Sequence, residues 1–281
     1  MFFDLIGIGT QLGIDLLETK DGLIEKYGGS VANTLVALRH LGLKTGYIGL
    51  VSSDQKGIQA LQELKNTVID VQRVRIVDNP TPVCKIKVTK NNRILTQLGT
   101  RKTLTDFTPE DMGYLKTSKS VFLRFNASLT ERYVEFSKNN GAKVFLSLHN
   151  LDTDKDLQIL ENLPIDIIFA NKEEAKALNS VKRLVENGTE VVITHDRKGS
   201  IVYTIRGDKM TFSGFKVNAL DPTGAGDAFA AGYIYGYLNG WDLEKRAEFA
   251  NAMGGIATLQ YGARLKVSVE QVLEFIEKNK Y

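Results

Sequence analysis

Short apolar runs alternate with helical segments through the second half of the chain, and this alternation limits the possible folds more than any other feature. The runs predicted as strands are 121–125, 144–148, 165–170 and 191–194, and helical segments such as 131–140 and 173–179 lie between them. Strands that alternate with helices form mainly parallel sheets whose two faces are covered by the helices. The sequence therefore predicts an α/β protein whose ligands bind beyond the carboxyl ends of the strands.

The remaining segments extend this pattern and add one departure from it. Alternating residues at 84–89 and 93–98 flank the turn-prone Lys90-Asn91-Asn92, which predicts a hairpin with one face in water. The other predicted elements are strands at 2–9 and 44–51, a hairpin at 201–217, and helices at 31–41, 225–238, 243–261 and 269–278. The 281 residues contain no linker-like stretch and no internal repeat, so we predict one domain, 1–281, with a small β appendage.

The composition argues against several classes of function. The formal net charge is +3 and the basic residues are spread along the chain, so we expect no nucleic-acid partner. Cys84 is the single cysteine, so no internal disulfide is expected. No apolar stretch approaches the roughly 18 residues that span a membrane, and the first residues lack the pattern of a signal peptide. We therefore expect a cytoplasmic protein without a membrane partner.

The run 221–232 carries the clearest chemical signal. Gly224 and Gly226 permit backbone angles that other residues resist, and they lead into a predicted helix. Free amides at such a helix start bind anions, so the run predicts a phosphate site. Asp227 falls in the first turn of this helix, where its charge would repel a phosphate. It is either a residue that favours the helix dipole or a catalytic base for phosphoryl transfer.

The same run belongs to a resemblance that extends along nearly the whole chain. Asp-Pro-Thr-Gly-Ala-Gly-Asp-Ala-Phe-Ala-Ala-Gly at 221–232 resembles the C-terminal signature of the ribokinase-like family, also called the PfkB carbohydrate kinases. Gly28-Gly29-Ser30-Val31-Ala32-Asn33 resembles the family's N-terminal motif, and Asn171-Lys172-Glu173-Glu174 resembles its Asn-x-x-Glu motif. The resemblance implies a ribokinase-like three-layer α/β/α fold with a mainly parallel central sheet. It also implies a small β-strand lid, formed roughly by 11–27 and 81–99.

At the nucleotide end of the site, the resemblance implies a role for each matching residue. Asp227 would be the catalytic base, and the anion hole for the γ-phosphoryl group would comprise Gly224, Ala225 and Gly226. Asn171 and Glu174 would organise the phosphates and Mg²⁺, with Glu174 acting through water; the alternative for this pair is a capping box. The nucleotide contacts implied are Asn171, Thr194, Gly199, Gly224, Gly226 and Asn251. Within the loop 194–199, Asp196 replaces a glycine of the family pattern.

At the acceptor end, the resemblance implies contacts from the N-terminal motif and from the lid. The residues implied are Asp15, Gly28, Gly29, Asn33 and Arg93. The spacing that leads to Asp15 is one residue longer than expected, so Gln11 is the alternative. The glycine pair alone would indicate only a tight turn, and Arg93 is equally well explained as a solvated charge on an edge strand.

Two arginines depart from the family pattern. Arg101 stands where many sugar kinases have asparagine, and Arg124 stands where a small residue is usual. Each is either a contact for an anionic acceptor, such as a sugar phosphate, or a surface charge.

The sequence thus predicts an ATP-dependent kinase that phosphorylates a hydroxyl, expected to be a hydroxymethyl group, of a sugar or sugar derivative. Alternatives are a nucleoside kinase of the same fold, since 84–98 resembles adenosine kinases, and a catalytically silent sugar- or nucleotide-binding protein. Mg²⁺ would accompany ATP, and relatives place a monovalent cation, K⁺ being the candidate, near Asp221 and Thr223. A homodimer formed through the lid is a further option. A Walker motif is absent, and Leu12 occupies the third glycine position of a dinucleotide fingerprint.

Overall fold

A computed structural model describes residues 2–19, 22–88, 93–126, 129–149, 151, 154–178 and 181–279. In chain order its strands are β1 (Leu5–Gln11), β2 (Gly13–Thr19), β3 (Gly22–Gly28), β4 (Thr45–Ser52), β5 (Asp70–Val77), β6 (Val83–Val88), β7 (Arg93–Leu98), β8 (Ser120–Arg124), β9 (Lys143–Ser147), β10 (Ile167–Asn171), β11 (Glu190–Thr194), β12 (Gly199–Tyr203) and β13 (Lys209–Ser213). The α-helices are α1 (Ser30–His40), α2 (Gln55–Asn66), α3 (Pro109–Leu115), α4 (Thr130–Asn139), α5 (Asp154–Asn162), α6 (Val181–Glu186), α7 (Ala225–Leu238), α8 (Leu243–Ala257) and α9 (Val269–Lys278).

The larger of two sheets has nine strands in the order β13-β12-β11-β10-β9-β8-β1-β4-β5. The strands from β11 to β5 pair in parallel, whereas β12 and β13 form an antiparallel hairpin at the other edge. The predicted mainly parallel sheet is confirmed, and so is the hairpin within 201–217. Because β1 lies between β8 and β4, the carboxyl ends of distant segments meet at one edge.

Helices cover both faces of this sheet, each set over its own hydrophobic core. Residues of α1, α7, α8 and α9 share one core with Phe122 and Phe145 of the sheet. Residues of α3, α4, α5 and α6 share the other core with Val121 and Val144. Neighbouring residues on β8 and β9 thus point to opposite cores, as the pleat of a strand requires. The predicted three-layer α/β/α architecture is confirmed.

The smaller sheet has four strands in the order β3-β2-β6-β7. The predicted hairpin within 84–98 is confirmed, because β6 and β7 pair antiparallel from Val83–Leu98 to Val88–Arg93. The turn predicted at Lys90-Asn91-Asn92 lies outside the described residues. Strand β2 pairs with β6 in parallel and with β3 in antiparallel, so residues 13–19, 22–28, 83–88 and 93–98 form one sheet.

Two predicted helices are shorter than expected. The predicted helix 173–179 is only a 3₁₀ turn, Glu174–Ala177, because Leu178 turns to an extended backbone and buries its side chain. The predicted helix 243–261 ends at Ala257. The carbonyl of Thr258 instead accepts the amides of Leu220 (2.7 Å) and Asp221 (3.2 Å), which ties this segment to the loop before α7.

Helices α7 and α8 approach each other closely through small residues. A Cβ atom added to Gly232 would lie 2.9 Å from Met253 Cγ and 3.0 Å from Ala250 Cα. This close contact fixes the position of α7, which begins at the run that the sequence predicts to bind an anion. Of the helices within the described residues, none has the length and apolar character needed to cross a membrane.

Candidate active site

Asp227 lies where the first turns of α1 and α7 meet. Its carboxylate accepts hydrogen bonds from Ser30 Oγ to Oδ1 at 2.5 Å and from Asn33 Nδ2 to Oδ2 at 2.8 Å. Thr34 Oγ1 donates to the carbonyl of Asp227 at 3.3 Å, so α1 holds both the backbone and the side chain. Sequence reasoning did not single out Ser30, although its position directly after the glycine pair was a usable signal. The two donors fix the orientation of the carboxylate, as a catalytic group requires.

The start of α7 has the features of an anion site. Gly224 is its N-cap at φ 80°, with no side-chain cap, and a Cβ there would lie 2.5 Å from Ala263 Cα. The amide of Ala225 donates to the carbonyl of Pro222 at 3.3 Å. The amide of Gly226 has no acceptor among the described residues, and the position of its missing Cβ has no atom within 4 Å. Of the three predicted anion-hole residues, Gly224 and Gly226 thus have amides without an acceptor among the described residues, whereas the amide of Ala225 is bonded to Pro222.

The side chain of Asp221 stabilises the turn that precedes α7. Its buried carboxylate accepts the amides of Thr223 and Gly262, each at 2.9 Å. The loop before α7 is thereby bonded to the segment that follows α8. The hydroxyl of Thr223 is buried and has no hydrogen-bond partner within the described part of the chain.

Asp15 on β2 faces the glycine pair across the sheet. A Cβ on Gly28 would lie 2.7 Å from both carboxylate oxygens of Asp15, so only glycine permits this approach. Gly29 is the N-cap of α1 at φ 121°. Burial raises the pKa of Asp15 to about 6; Arg101 opposes the shift and Asp227 reinforces it. Gly28 lies two positions before Ser30, whose hydroxyl contacts the candidate base.

Gln11, the alternative to Asp15, is fully occupied by structural hydrogen bonds. Its Nε2 donates to Ser52 Oγ at 2.7 Å, and its Oε1 accepts from Asn79 Nδ2 at 3.0 Å and from the amide of Lys102 at 2.9 Å. The side chain has no exposed surface. This environment favours Asp15 over Gln11 as the polar contact for a ligand.

Asn171 and Glu174 form the reciprocal capping arrangement that was the alternative to a ligand role. Asn171 Oδ1 accepts the amides of Glu173 (2.8 Å) and Glu174 (2.9 Å), while Glu174 Oε2 accepts the amide of Asn171 at 2.8 Å. Glu174 Oε1 lies 3.9 Å from His149 Nδ1. Burial raises the pKa of Glu174, which its hydrogen bond from Asn171 and its interaction with Arg124 oppose. One oxygen of Glu174 thus stays available in the cleft.

The remaining predicted nucleotide contacts lie around β11 and α8. Thr194 Oγ1 donates to the carbonyl of Ala170 at 3.4 Å, and Asn251 Nδ2 donates to the carbonyl of Ser213 at 3.3 Å. A Cβ on Gly199, which has φ 100°, would lie 2.1 Å from the carbonyl oxygen of Phe212. Asp196 adopts φ 50° at the place of the family glycine and pairs with Lys172 at 2.6 Å. The loop therefore keeps a left-handed residue there despite the substitution.

A cavity of ≈ 310 Å³ opens at the carboxyl ends of β1 and β8. Its polar lining includes Arg101, Arg124 and His149. Burial, together with the charge of Arg101, lowers the pKa of Arg124 to about 10. The two arginines that depart from the family pattern therefore line one cavity, which sequence reasoning had not connected. The side chain of Arg93 lies outside the described residues, although its backbone begins β7.

The chain is similar to known kinases along most of its length. The sequence model described as pfkB family carbohydrate kinase matches residues 8–270. The chain is 29% identical over 315 aligned positions to a 5-dehydro-2-deoxygluconokinase of Geobacillus thermodenitrificans, covering 98% of this chain and 93% of that protein. It is 29% identical over 257 positions to an ATP-dependent ribose-1-phosphate kinase of Halopiger xanaduensis, covering 89% of this chain and 86% of that protein.

A comparison with solved structures finds the same fold in other proteins. The crystal structure of a putative ribokinase II from E. coli, in complex with ATP and Mg²⁺, superposes with a TM-score of 0.85. The identity is 19%, and the match covers 99% of this chain and 100% of that one. At this identity the likeness concerns the fold.

Proposed function

The chain belongs to the pfkB family of carbohydrate kinases, and we propose that it transfers the γ-phosphoryl group of ATP to a hydroxymethyl group, with Asp227 as catalytic base. Membership makes it a phosphotransferase whose acceptor is an alcohol group of a sugar derivative. One observation carries the assignment of the base. The carboxylate of Asp227 is oriented by Ser30 and Asn33 beside a helix start with an available amide.

In the proposed reaction, Asp227 accepts the proton of the acceptor hydroxyl as its oxygen attacks the γ-phosphorus. The bond from that phosphorus to the bridging oxygen breaks, and ADP leaves with the electron pair. The start of α7, with the amide of Gly226, stabilises the negative charge of the transferring group. Gly224 and Ala225 shape this turn.

The acceptor site proposed comprises Asp15, Gly28, Gly29, Asn33 and Arg93. Asn33 Oδ1 is buried and has no hydrogen-bond partner among the described atoms, so a hydroxyl donor would satisfy it. Asp15 adds a carboxylate that can accept further hydroxyl bonds. Gly28 permits the close approach of the Asp15 carboxylate, and Gly29 supplies the positive φ with which α1 begins.

The nucleotide site proposed comprises Asn171, Thr194, Gly199 and Asn251 with the start of α7. Thr194 ends β11, at the carboxyl edge where parallel sheets bind ligands. Asn251 holds the end of β13 against α8, so we assign it a supporting position at the nucleotide.

Mg²⁺ is the proposed cofactor, and Glu174 is the residue that would help to hold it. Within the described residues no cluster of three His, Cys, Asp or Glu side chains can hold a metal. One available oxygen of Glu174, together with phosphates and water, suits Mg²⁺, which keeps several of its waters in proteins. Bound Mg²⁺ would neutralise charge on the phosphates. Glu174 would hold it through water.

We also propose a K⁺ site near Asp221 and Thr223. The carboxylate of Asp221 is buried, and no ion pair to it occurs in the described ranges. Its partners are amides, and the hydroxyl oxygen of Thr223 is an unused ligand close by. Turnover in K⁺ should exceed turnover in tetramethylammonium at equal ionic strength. A dependence on both ATP and K⁺ suits the cytoplasm, the compartment we propose.

The four-stranded sheet β3-β2-β6-β7 is proposed to act as a lid in a single kinase domain spanning 1–281. It carries Asp15 and lies outside the nine-stranded sheet. Closure over the acceptor would exclude water, which otherwise hydrolyses ATP. We further propose that its exposed face pairs two copies into a homodimer.

The test of the proposed function is an ATP-consumption screen over sugars, sugar acids, sugar phosphates and nucleosides. Wild-type protein should consume ATP with a sugar derivative. Asp227→Asn should lose about 100-fold or more in kcat, the usual scale for removing a general base. The matched control is Glu244→Gln, which neutralises an acidic residue in the first turn of α8 and should keep normal turnover.

Each other outcome of this screen has a definite meaning. Equal turnover of Asp227→Asn and wild type would refute the base assignment and restore the capping interpretation. Turnover with nucleosides alone would replace the sugar derivative by a nucleoside. Saturable binding of a ligand without turnover in wild type would indicate a silent binding protein.

A further inference from the structure

The cavity of ≈ 310 Å³ beside the catalytic base has an unusual charge distribution. Its lining includes two guanidinium groups and one imidazole, and none of the lining residues is acidic. Arg124 ends β8, Arg101 lies in the segment after β7, and His149 follows β9. A volume near 300 Å³ is at the lower end of the range for small-molecule sites. The cavity is therefore large enough for a sugar-sized ligand and positive along its wall.

Arg124 has fewer polar contacts within the protein than Arg101 has. Its guanidinium makes no hydrogen bond or ion pair with the described residues, although the side chain is partly buried. Burial and the charge of Arg101 lower the pKa of Arg124 to about 10, against the opposing effects of Asp227 and Glu174. A partly buried charge without a direct partner lowers stability. Its orientation into a ligand-sized cavity suggests that a ligand supplies the partner.

Arg101 retains most of its donors for a ligand. Its Nη1 donates to the carbonyl of Gln11 at 3.1 Å, which anchors the guanidinium at the cavity wall. No carboxylate in the described part of the chain pairs with it. Five arginines elsewhere in the chain are paired with carboxylates: Arg73, Arg75, Arg183, Arg246 and Arg264. The two cavity arginines differ from these in lacking a carboxylate partner.

The pKa of His149 is also affected by the positive charge of these arginines. Burial, together with Arg124 and Arg101, lowers its pKa to about 4. The imidazole is therefore neutral at pH 7, and it can donate one hydrogen bond and accept another. The carboxylates that could balance the arginines, Asp227 and Glu174, line the reaction end of the cleft and are outside the cavity wall.

Resting on the proposed function, we infer that the acceptor carries an acidic group, a carboxylate or a phosphate, which Arg101 and Arg124 bind inside this cavity. A guanidinium presents parallel N–H donors that match two oxygens of either group, and such charge-assisted pairs are among the strongest in proteins. The hydroxyl to be phosphorylated then lies at Asp227, and the acidic group is bound in the cavity. The two arginines are thus specificity-determining residues.

Matched acceptors test this inference. Each set contains a neutral sugar, the sugar acid that bears a carboxylate at one end, and the phosphate ester of the same sugar. In wild-type protein, kcat/KM for an acidic member should exceed that for its neutral counterpart by about 100-fold or more. The ratio between the carboxylate and the phosphate member identifies which acidic group the cavity accepts.

Variants of the arginines give the second measurement. Arg124→Met and Arg101→Met should each raise KM for the acidic acceptor by about 10- to 100-fold, with KM for ATP unchanged. Arg124→Lys should recover part of the loss, because it restores the charge without the planar fork. The matched control is Arg206→Met, an exposed arginine between β12 and β13, which should leave both KM values unchanged.

The outcomes separate this inference from the proposed function. Equal use of neutral and acidic acceptors, or an unchanged acceptor KM in Arg124→Met, would overturn the inference while the kinase assignment stands. Absence of turnover with every acceptor in wild type would refute the proposed function itself. Ligand-free Arg124→Met should unfold at or above the wild-type temperature, since it removes a charge without a partner. If it does not fold, Arg101→Met and Arg124→Lys decide the question.

Discussion

Three carboxylates in the candidate site have different surroundings, and these set their expected behaviour. Asp227 accepts hydrogen bonds from two side chains of α1, which fix its orientation. Glu174 caps a single turn with one oxygen and leaves the other in the cleft. Asp15 is almost fully buried against Gly28, and its pKa is raised to about 6. Such raised values are frequent where a site has been shaped for a ligand rather than for stability.

The raised pKa of Asp15 predicts a pH-dependent effect of Asp15→Asn on stability. An aspartate in the unfolded chain has a pKa of 3.8, whereas the pKa of Asp15 in the folded protein is about 6. The folded protein therefore binds the proton of Asp15 more tightly. The stabilisation from this group is present below pH 4 and is lost as the pH rises through 6. Asp15→Asn should therefore raise the free energy of unfolding at pH 7 by at most about 3 kcal/mol, with little change near pH 3.5. Urea denaturation at both pH values measures it.

A control with the opposite sign is Asp166→Asn. Burial favours a higher pKa for Asp166, but hydrogen bonds from Lys138, the Val144 amide and Lys143 lower it below the ordinary value. Its stabilisation is present at neutral pH and is lost on acidification. Asp166→Asn should therefore be less stable than wild type at pH 7. A loss of stability at pH 7 in Asp15→Asn as well would contradict the assigned environment of Asp15.

Substitution of the two glycines at the start of α7 should affect stability and activity separately. In Gly224→Ala, the left-handed backbone and the approach to Ala263 should cost about 1–3 kcal/mol in the free energy of unfolding. In Gly226→Ala, the added methyl group meets open space and should leave the thermal unfolding temperature nearly unchanged. It would occupy the space assigned to the phosphoryl group, so kcat should fall by about tenfold or more. Calorimetry and steady-state kinetics on both variants check this pair, and normal kcat in Gly226→Ala would argue against the anion hole.

At the scale of elements, the four-stranded sheet presents hydrophobic side chains to solvent. Leu23 is 59% exposed and Ile94 is 56% exposed, and their strand partners Glu18 and Lys87 form an ion pair at 2.9 Å. The register therefore puts two exposed apolar residues and an ion pair in one row across the sheet. Exposed apolar residues in such a row are typical of an interface between protein chains.

This row predicts the oligomeric state. If two copies pair through the sheet, the double variant Leu23→Glu/Ile94→Glu should sediment as a monomer while wild type sediments as a dimer. The control is Ile205→Glu, which is 61% exposed on the turn between β12 and β13 and should leave the dimer intact. Sedimentation velocity over a range of protein concentrations measures both. A monomeric wild type would refute the pairing without affecting the kinase assignment.

At the scale of the whole molecule, the site lies between the edge of the nine-stranded sheet and the smaller sheet. Closure of the smaller sheet predicts slower hydrogen exchange of amides in β6 and β7 when both substrate sites are filled. A non-hydrolysable ATP analogue alone should give little protection there, because the acceptor provides the contacts for closure. The hairpin β12–β13 at the opposite edge serves as internal control and should not change. Protection spread evenly over both regions would indicate general stabilisation instead of closure.

Local signals in the sequence were sufficient to predict the architecture. Strands alternating with helices, the period-two segments around β6 and β7, and the glycine-rich start of α7 are features of neighbouring residues, so they can be read without the fold. Helix α8 and the turn at Glu174–Ala177 are shorter than the sequence predicted. Each is ended by contacts with distant segments. Such contacts leave no trace in the local pattern.

By itself the sequence determined the parallel sheet, the glycine-rich start of α7 and the family to which the chain belongs. The tertiary structure decided which side chains share a site. Ser30 and Asn33 contact a carboxylate 197 and 194 positions away, Asp15 faces the cleft where Gln11 does not, and Arg101 and Arg124 line one cavity. The reason is the strand order, which places β1 between β8 and β4. Residues far apart in the chain meet at one sheet edge, and their charges interact only there.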